Sequence, residues 1–180
     1  MSYRVMSQGE FDAVVAAHHE EILRYLRRVI GPADDAEDLA QETFLRAYRA
    51  YGALSKDANM RAWLFSIATN LAKNHFRSET RRRRAYGAAE TAARGAAELA
   101  ASESELAAHE TGRLVERIVR SLPLKQRVAF TQRKLHDMDY EVIGKSLGCS
   151  AESARAHVFQ ALRKIRQGLD SHGVVPGGQA

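Results

Sequence analysis

"DYEVIGKSLGCSAESARAHVFQALRKIRQGL", residues 139–169, is the stretch whose reading decides the fold. Gly148 stands where a short helix must end, because glycine enters the left-handed region without a Cβ penalty. Ser150 stands where the next helix must begin, with a side-chain oxygen free to accept from an orphan N–H of its first turn. Beyond it Ala154, Val158, Ala161, Leu162, Ile165 and Leu169 step by three or four and are expected to face inward. Glu152, Arg155, Ala156, Phe159 and Arg163 then point broadly outward. A short helix, a glycine turn and a longer basic helix make a helix-turn-helix, whose second helix enters the DNA major groove by its N-terminal half.

The flanking residues extend this unit. "RLVERIVRSL" carries Leu114, Val115, Ile118 and Val119 at helical spacing before Pro123, and "LKQRVAFTQRKLH" follows. Residues 111–170 therefore read as a four-helix unit. They hold twelve Lys/Arg against six acids.

A second unit precedes it. "EFDAVVAAHHEEILRYLRRVI" places Phe11, Val14, Val15, Ile22, Leu26, Val29 and Ile30 on a helical pattern that Gly31 and Pro32 stop. Asp34 or Asp35 is expected to cap the next helix, where Leu39, Thr43, Phe44, Ala47 and Tyr51 form the apolar stripe. After a loop comes "MRAWLFSIATNLAKNHFRSETRRRR", with Trp63, Leu64, Ile67, Ala68 and Leu71 on one face. Trp63 is read as core rather than as a base-stacking platform. Residues 61–84 hold seven Lys/Arg against the single acid Glu79. The expected architecture is all-α: a three-to-four-helix bundle over 8–84 and the four-helix unit over 111–170. An Ala/Glu-rich tether, 85–110, joins them, and residues 171–180 read as a frayed tail. The tether holds five glutamates and one arginine. Two basic blocks around an acidic spacer suit two nucleic-acid contacts on one chain.

Composition closes off other classes. Apolar residues make up 45% of the 180, enough for packed cores. The single cysteine, Cys149, excludes an intramolecular disulfide framework and a multi-cysteine zinc site. No run approaches the roughly 20 apolar residues that span a bilayer, and nothing at the N-terminus resembles an export signal. A cytoplasmic protein, not one of the membrane, is expected. "HHEE" at 18–21 lacks the His-Glu-x-x-His spacing of a zinc enzyme. No phosphate-binding glycine loop or nucleophile motif is present, so neither catalysis nor a cofactor is expected. His18, His75, His109, His136 and His157 are expected at surfaces or core edges.

One stretch resists a purely structural reading. "DDAEDLAQE", residues 34–42, carries five carboxylates in a chain of net charge +5. Acids in a first turn favour the helix dipole, but these extend past it. Asp38 and Glu42, four apart, are like charges on one face, which costs a few tenths of a kcal/mol, roughly, in an isolated helix. An external basic partner would account for them.

With both blocks read, the chain resembles the bacterial alternative sigma factors of the extracytoplasmic-function type, over residues 8–170. "DAEDLAQETFLRAY" and "RAWLFSIATNLAKNHFR" are similar to region 2 of that family. "LPLKQRVAFTQRKLHDMDYEVIGKSLGCSAESARAHVFQALRKI" is similar to region 4. The resemblance implies that Asp38, Leu39, Gln41 and Glu42 dock on the clamp-helix coiled coil of the polymerase β′ subunit, and that the β flap is a further contact. It implies that the loop at about Gly52 to Met60 receives an unstacked −10 base, with Arg61, Asn70, Lys73, Asn74 and Arg77 following the strand. For the −35 duplex it implies Glu152, Arg155, Gln160 and Arg163. It also implies an anti-sigma factor as partner, which no residue here identifies. The recognition helix departs from the family's usual T-V-K-S-R-L-x-R-A-R: three positive charges are lost or weakened, at His157, Gln160 and Leu162, while Ser153 keeps the hydroxyl.

Two rivals remain. A stand-alone helix-turn-helix regulator that binds duplex without polymerase accounts for the second block and leaves the first unexplained. Such proteins usually dimerise, and no heptad seam is evident. An enzyme acting on nucleic acid lacks any motif to carry its chemistry.

Overall fold

The computed structural model describes residues 7–31, 33–55, 57–85 and 103–173. Most of the expected tether and the end of the expected tail lie outside the described residues. Helices account for nearly all the rest: α1 (Gln8–Ile30), α2 (Ala33–Ala50), α3 (Met60–Ala85), α4 (Glu103–Ser121), α5 (Leu124–Leu135), α6 (Tyr140–Leu147) and α7 (Ala151–Asp170), with a 3-10 turn at Tyr51–Ala53. No strand occurs among the described residues.

The helix boundaries follow from local chemistry. A reciprocal capping box starts α1: Glu10 N–H donates to Ser7 Oγ, and Ser7 N–H donates to the Glu10 carboxylate. Gly31, at φ 114°, ends it. The next helix begins at Ala33, so Asp34 and Asp35 fall inside its first turn rather than at its cap. Asn59 starts α3, its Oδ1 accepting from Ala62 N–H at 3.0 Å. Pro123 precedes α5, where its missing donor costs nothing.

α1, α2 and α3 pack together, and α7 packs on α4, α5 and α6. The stripe read from the sequence supplies the core, with Ile22, Leu26, Val29, Phe44, Leu64 and Ala68 all buried. Trp63 lies partly buried against that core, as its neighbours implied. Leu162 is a correction: it is 40% exposed, whereas Ala154, Val158, Ala161 and Ile165 are buried. Ala161 and Ile165 already face α4 and α5, and the next residue round the helix turns to solvent.

The two blocks are in contact. One core cluster runs from Ile22, Leu64 and Phe65 of the first to Val128, Ile143, Leu147 and Val158 of the second. α1 meets α5, and α3 meets α6.

Candidate nucleic-acid and polymerase interfaces

The turn between α6 and α7 is tightly specified. Gly148 is left-handed (φ 71°, ψ 43°), and its N–H reaches the carbonyls of Gly144 and Lys145. Ser150 Oγ accepts from Ser153 N–H at 3.1 Å. Both expected punctuation residues thus do what their chemistry suggested. Gly144 was not singled out by sequence reading, yet an added Cβ there would stand 2.7 Å from the Cys149 carbonyl oxygen. Only glycine lets α6 approach the turn this closely.

The turn presents the outer face of α7. Glu152, Arg155, Gln160 and Arg163 are all exposed. The Arg155 guanidinium lies 5.0 Å from the centroid of the Tyr140 ring, and Arg133 lies at the same distance from that ring. Cation–π contact restrains the Arg155 side chain. Gln160 accepts from Gln126 Nε2 at 2.8 Å, so it leans toward α5 and away from the Arg155 stripe. Phe159, expected only to point outward, is 67% exposed between Arg155 and Arg163. An aromatic so placed gains nothing from folding. Burial of the His157 ring pushes its pKa down, with Lys125 acting in the same direction. The neutral imidazole is favoured there, so His157 supplies little positive charge to this face.

On α3, Asn70, Asn74 and Arg77 are exposed and Lys73 is half-buried. Lys73 Nζ reaches Asn70 Oδ1 at 3.5 Å. These four form one stripe. Arg61 does not join it: nine residues separate Arg61 from Asn70, about two and a half turns, so the two lie on opposite faces. Its guanidinium instead grips Glu21 of α1 through Nε at 3.0 Å and through Nη2, which also donates to the His136 carbonyl. That pairing holds the Glu21 carboxyl below its ordinary value and raises Arg61. The helical period, available from sequence, would have separated Arg61 from the others.

On α2, Asp38 and Gln41 are exposed, while Leu39 and Glu42 are partly buried. Glu42 accepts from Arg46 Nε at 2.7 Å and Glu37 from Arg27 at 2.9 Å. Glutamate four residues before arginine is the favourable order along a helix. The like-charge cost inferred from sequence is therefore offset locally, and an outside partner is no longer needed to explain it. Beside this ridge runs a groove between α1 and α2, lined by Phe11, Val15, Leu23, Phe44 and Leu45. Leu45 and Tyr48 are exposed at 45% and 47%. An apolar groove rimmed by Asp38 and Gln41 suits a helical partner with basic side chains.

Comparison with known proteins matches both blocks to one family. The Sigma-70 region 2 family matches residues 14–82, and the Sigma-70 region 4 family matches 112–165. The ECF RNA polymerase sigma-E factor of Escherichia coli K12 is 30% identical over 164 residues, covering 88% of this chain and 85% of its own. The RNA polymerase sigma-H factor of Pseudomonas aeruginosa is 30% identical over 165 residues, with coverage of 88% and 86%. Among solved structures, the fold is similar to the sigma factor RpoE in complex with the anti-sigma factor NepR from Bartonella quintana (TM-score 0.73, 20% identity, 89% of this chain and 97% of that one). It is also similar to CnrH in complex with the cytosolic domain of CnrY (TM-score 0.66, 23% identity, 92% and 90%). With both regions matched in order and relatives aligned along most of their length, the chain belongs to the ECF sigma factors of RNA polymerase.

Proposed function

We propose that this sigma factor, working in the cytoplasm, divides its labour among three exposed faces. α2 and its groove hold core polymerase through Asp38, Leu39, Gln41 and Glu42, against the β′ clamp helices. Glu42 would exchange its local partner Arg46 for a basic side chain of the coiled coil. The α7 face reads duplex at −35 through Glu152, Arg155, Gln160 and Arg163, with the second block lodged on the β flap. Phe159 adds an apolar contact suited to a thymine methyl. The α3 stripe of Asn70, Lys73, Asn74 and Arg77 tracks the unpaired −10 strand, where amides and cations serve a single strand. Polymerase performs the chemistry and the chain supplies specificity. An anti-sigma factor is a further partner, by analogy with the solved relatives named above. Boundaries near 85 and 111, the second falling within α4 (Glu103–Ser121), separate the two working units in this reading.

One observation carries the proposal: the chain exposes two DNA-suited helix faces of different kinds, a glycine-set recognition helix and an amide-and-lysine stripe. A stand-alone duplex reader has use for only the first. The purified chain mixed with core polymerase should give promoter-dependent transcript and co-elute with the enzyme. Tight, sequence-specific duplex binding without polymerase, and no co-elution, would favour the regulator instead.

A further inference from the structure

The arginine run 81–84 at the end of α3 belongs to none of the three faces assigned above. α3 continues to Ala85, yet from Arg77 onward no described residue of it is buried. Helices in proteins hold mainly by packing an apolar face, and these turns pack none. Asn70, Lys73, Asn74, Arg77, Arg81 and Arg84 recur at steps of three or four. At about 100° per residue, all six fall within roughly 60° of the line through Asn70 along the helix. Arg81 and Arg84 are exposed. Glu79, the single acid of 61–84, lies half a turn from Arg81 and is taken by Arg82 at 2.8 Å. Arg77, Arg81 and Arg84 have no carboxylate partner among the described residues. Like charges three and four apart oppose the helix, and its dipole favours cations only in the last turn, beyond Arg77 and Arg81. The chemistry also changes along the line. Asn70 and Asn74 carry donor and acceptor together, as base edges require. Beyond Asn74 the stripe holds guanidiniums alone, which only donate and which match phosphate oxygens.

We propose that Arg81 and Arg84 form a phosphate-binding spine for the double-stranded DNA just upstream of the −10 element, gripping the spacer backbone without reading its sequence. The proposal rests on the −10 and −35 assignments above. α3 hands the chain on to the −35 reader, so its arginine end is the upstream end, where the strands are still paired. Arg84 stands seven residues beyond Arg77. That is about 10 Å of helix, or roughly three base pairs of duplex. Two guanidiniums at that reach neutralise two phosphates, and each releases condensed counterions. Contacts of this kind fix register and carry no sequence information. Backbone grip lost from the recognition helix at Gln160 and Leu162 is thereby supplied at the other end of the spacer.

The test uses the full chain bound to core polymerase, a linear promoter fragment, and Arg81→Gln combined with Arg84→Gln. Promoter affinity is measured from about 50 to 200 mM salt. Each duplex phosphate contact contributes about 0.9 to the slope of log affinity against log salt, so losing two makes the slope shallower by about 1.8. The ratio of wild-type to variant affinity should therefore fall roughly tenfold across that range. Arg81→Lys combined with Arg84→Lys should keep the wild-type slope. Methylphosphonates in the first few base pairs upstream of the −10 element remove phosphate charge. They should weaken the wild-type complex more than the glutamine variant's, whereas base changes there should affect both alike. A wild-type slope in the glutamine variant, or equal sensitivity of both proteins to the neutral backbone, overturns the spine. Two other results overturn it as well. A variant that melts lower but keeps the slope confines the arginines to holding the helix end, and one that no longer co-elutes with core polymerase assigns them to a protein surface. A wild-type complex with no preference for promoter DNA sinks the sigma reading and the spine with it; every other outcome leaves that reading standing.

Discussion

Replacing Gly144 with alanine sets two effects against each other. Alanine is the better helix former by about 1 kcal/mol, and Gly144 lies inside α6, so propensity alone predicts a more stable protein. Sterics predict the opposite. The new methyl would sit 2.7 Å from the Cys149 carbonyl oxygen and 3.1 Å from both Ala151 N and the Ser150 carbonyl carbon. All three are backbone atoms of the turn, and Cys149 N–H is bonded back to the Gly144 carbonyl at 2.9 Å, so nothing can rotate away. Overpacking costs ~1–3 kcal/mol, and a backbone clash belongs at the upper end. Net destabilisation of about 2 kcal/mol follows, a fall in melting temperature of roughly 4–8 °C at this chain length. The cost falls on the turn that aims α7, so transcription from a −35-dependent promoter should drop while co-elution with core polymerase persists. Gly168→Ala is the control: the three atoms nearest its Cβ, the closest at 2.7 Å, all belong to the Ile118 side chain, which has rotamers to retreat into. A Gly144→Ala protein at least as stable as wild type, with unchanged −35 dependence, would refute the reasoning.

Other expectations concern the faces and the docked blocks. Asp38→Lys should abolish co-elution with core polymerase and leave the helical circular dichroism intact, since Asp38 is exposed and its substitution leaves the Glu42–Arg46 pair untouched. Arg155→Ala should relax −35 preference by ~1–3 kcal/mol at one base pair, measured by competition among promoter variants; unchanged preference removes Arg155 from the site. Acid should loosen the docked form. Arg61 holds Glu21 below its ordinary 4.5, so Glu21 contributes stability above that value and loses it as pH falls through its lowered one. Burial pushes His136 below 6.5 against the opposing pull of Glu21, with Arg61 and Arg24 adding repulsion. The neutral ring is thus the docked form, and its contribution is lost as pH falls below 6.5. The radius of gyration should stay constant above about pH 7 and rise from pH 6.5 downward; a flat profile to pH 5 would contradict this.

The faces that meet solvent were legible because they obey local rules. The α7 turn needs a left-handed residue and a cap, and Gly148 and Ser150 announce both. The inward stripe of α7 follows from a period of 3.6, which failed only at Leu162, where the neighbouring bundle stops. The resemblance groups Arg61 with Asn70, Lys73, Asn74 and Arg77, and the half-turn between Arg61 and Asn70 sets Arg61 on the other face of α3. The acids of 34–42 point outward to a partner until the structure pairs Glu42 with Arg46, four residues on, and Glu37 with Arg27 of α1.

By itself, then, the sequence determined the helices, the Gly148 turn with its Ser150 cap, the exposed basic faces and the order of the two blocks, because each depends on residues a few positions apart. Only the tertiary structure decided that the blocks dock, that Gln132 joins Tyr25 and Thr69, and that Glu21 claims Arg61. Glu21 and Arg61 lie 40 residues apart, and Tyr25 and Gln132 lie 107 apart. No periodicity encodes such pairings. They arise from close packing, which selects whichever buried donors and acceptors can satisfy one another once water has left.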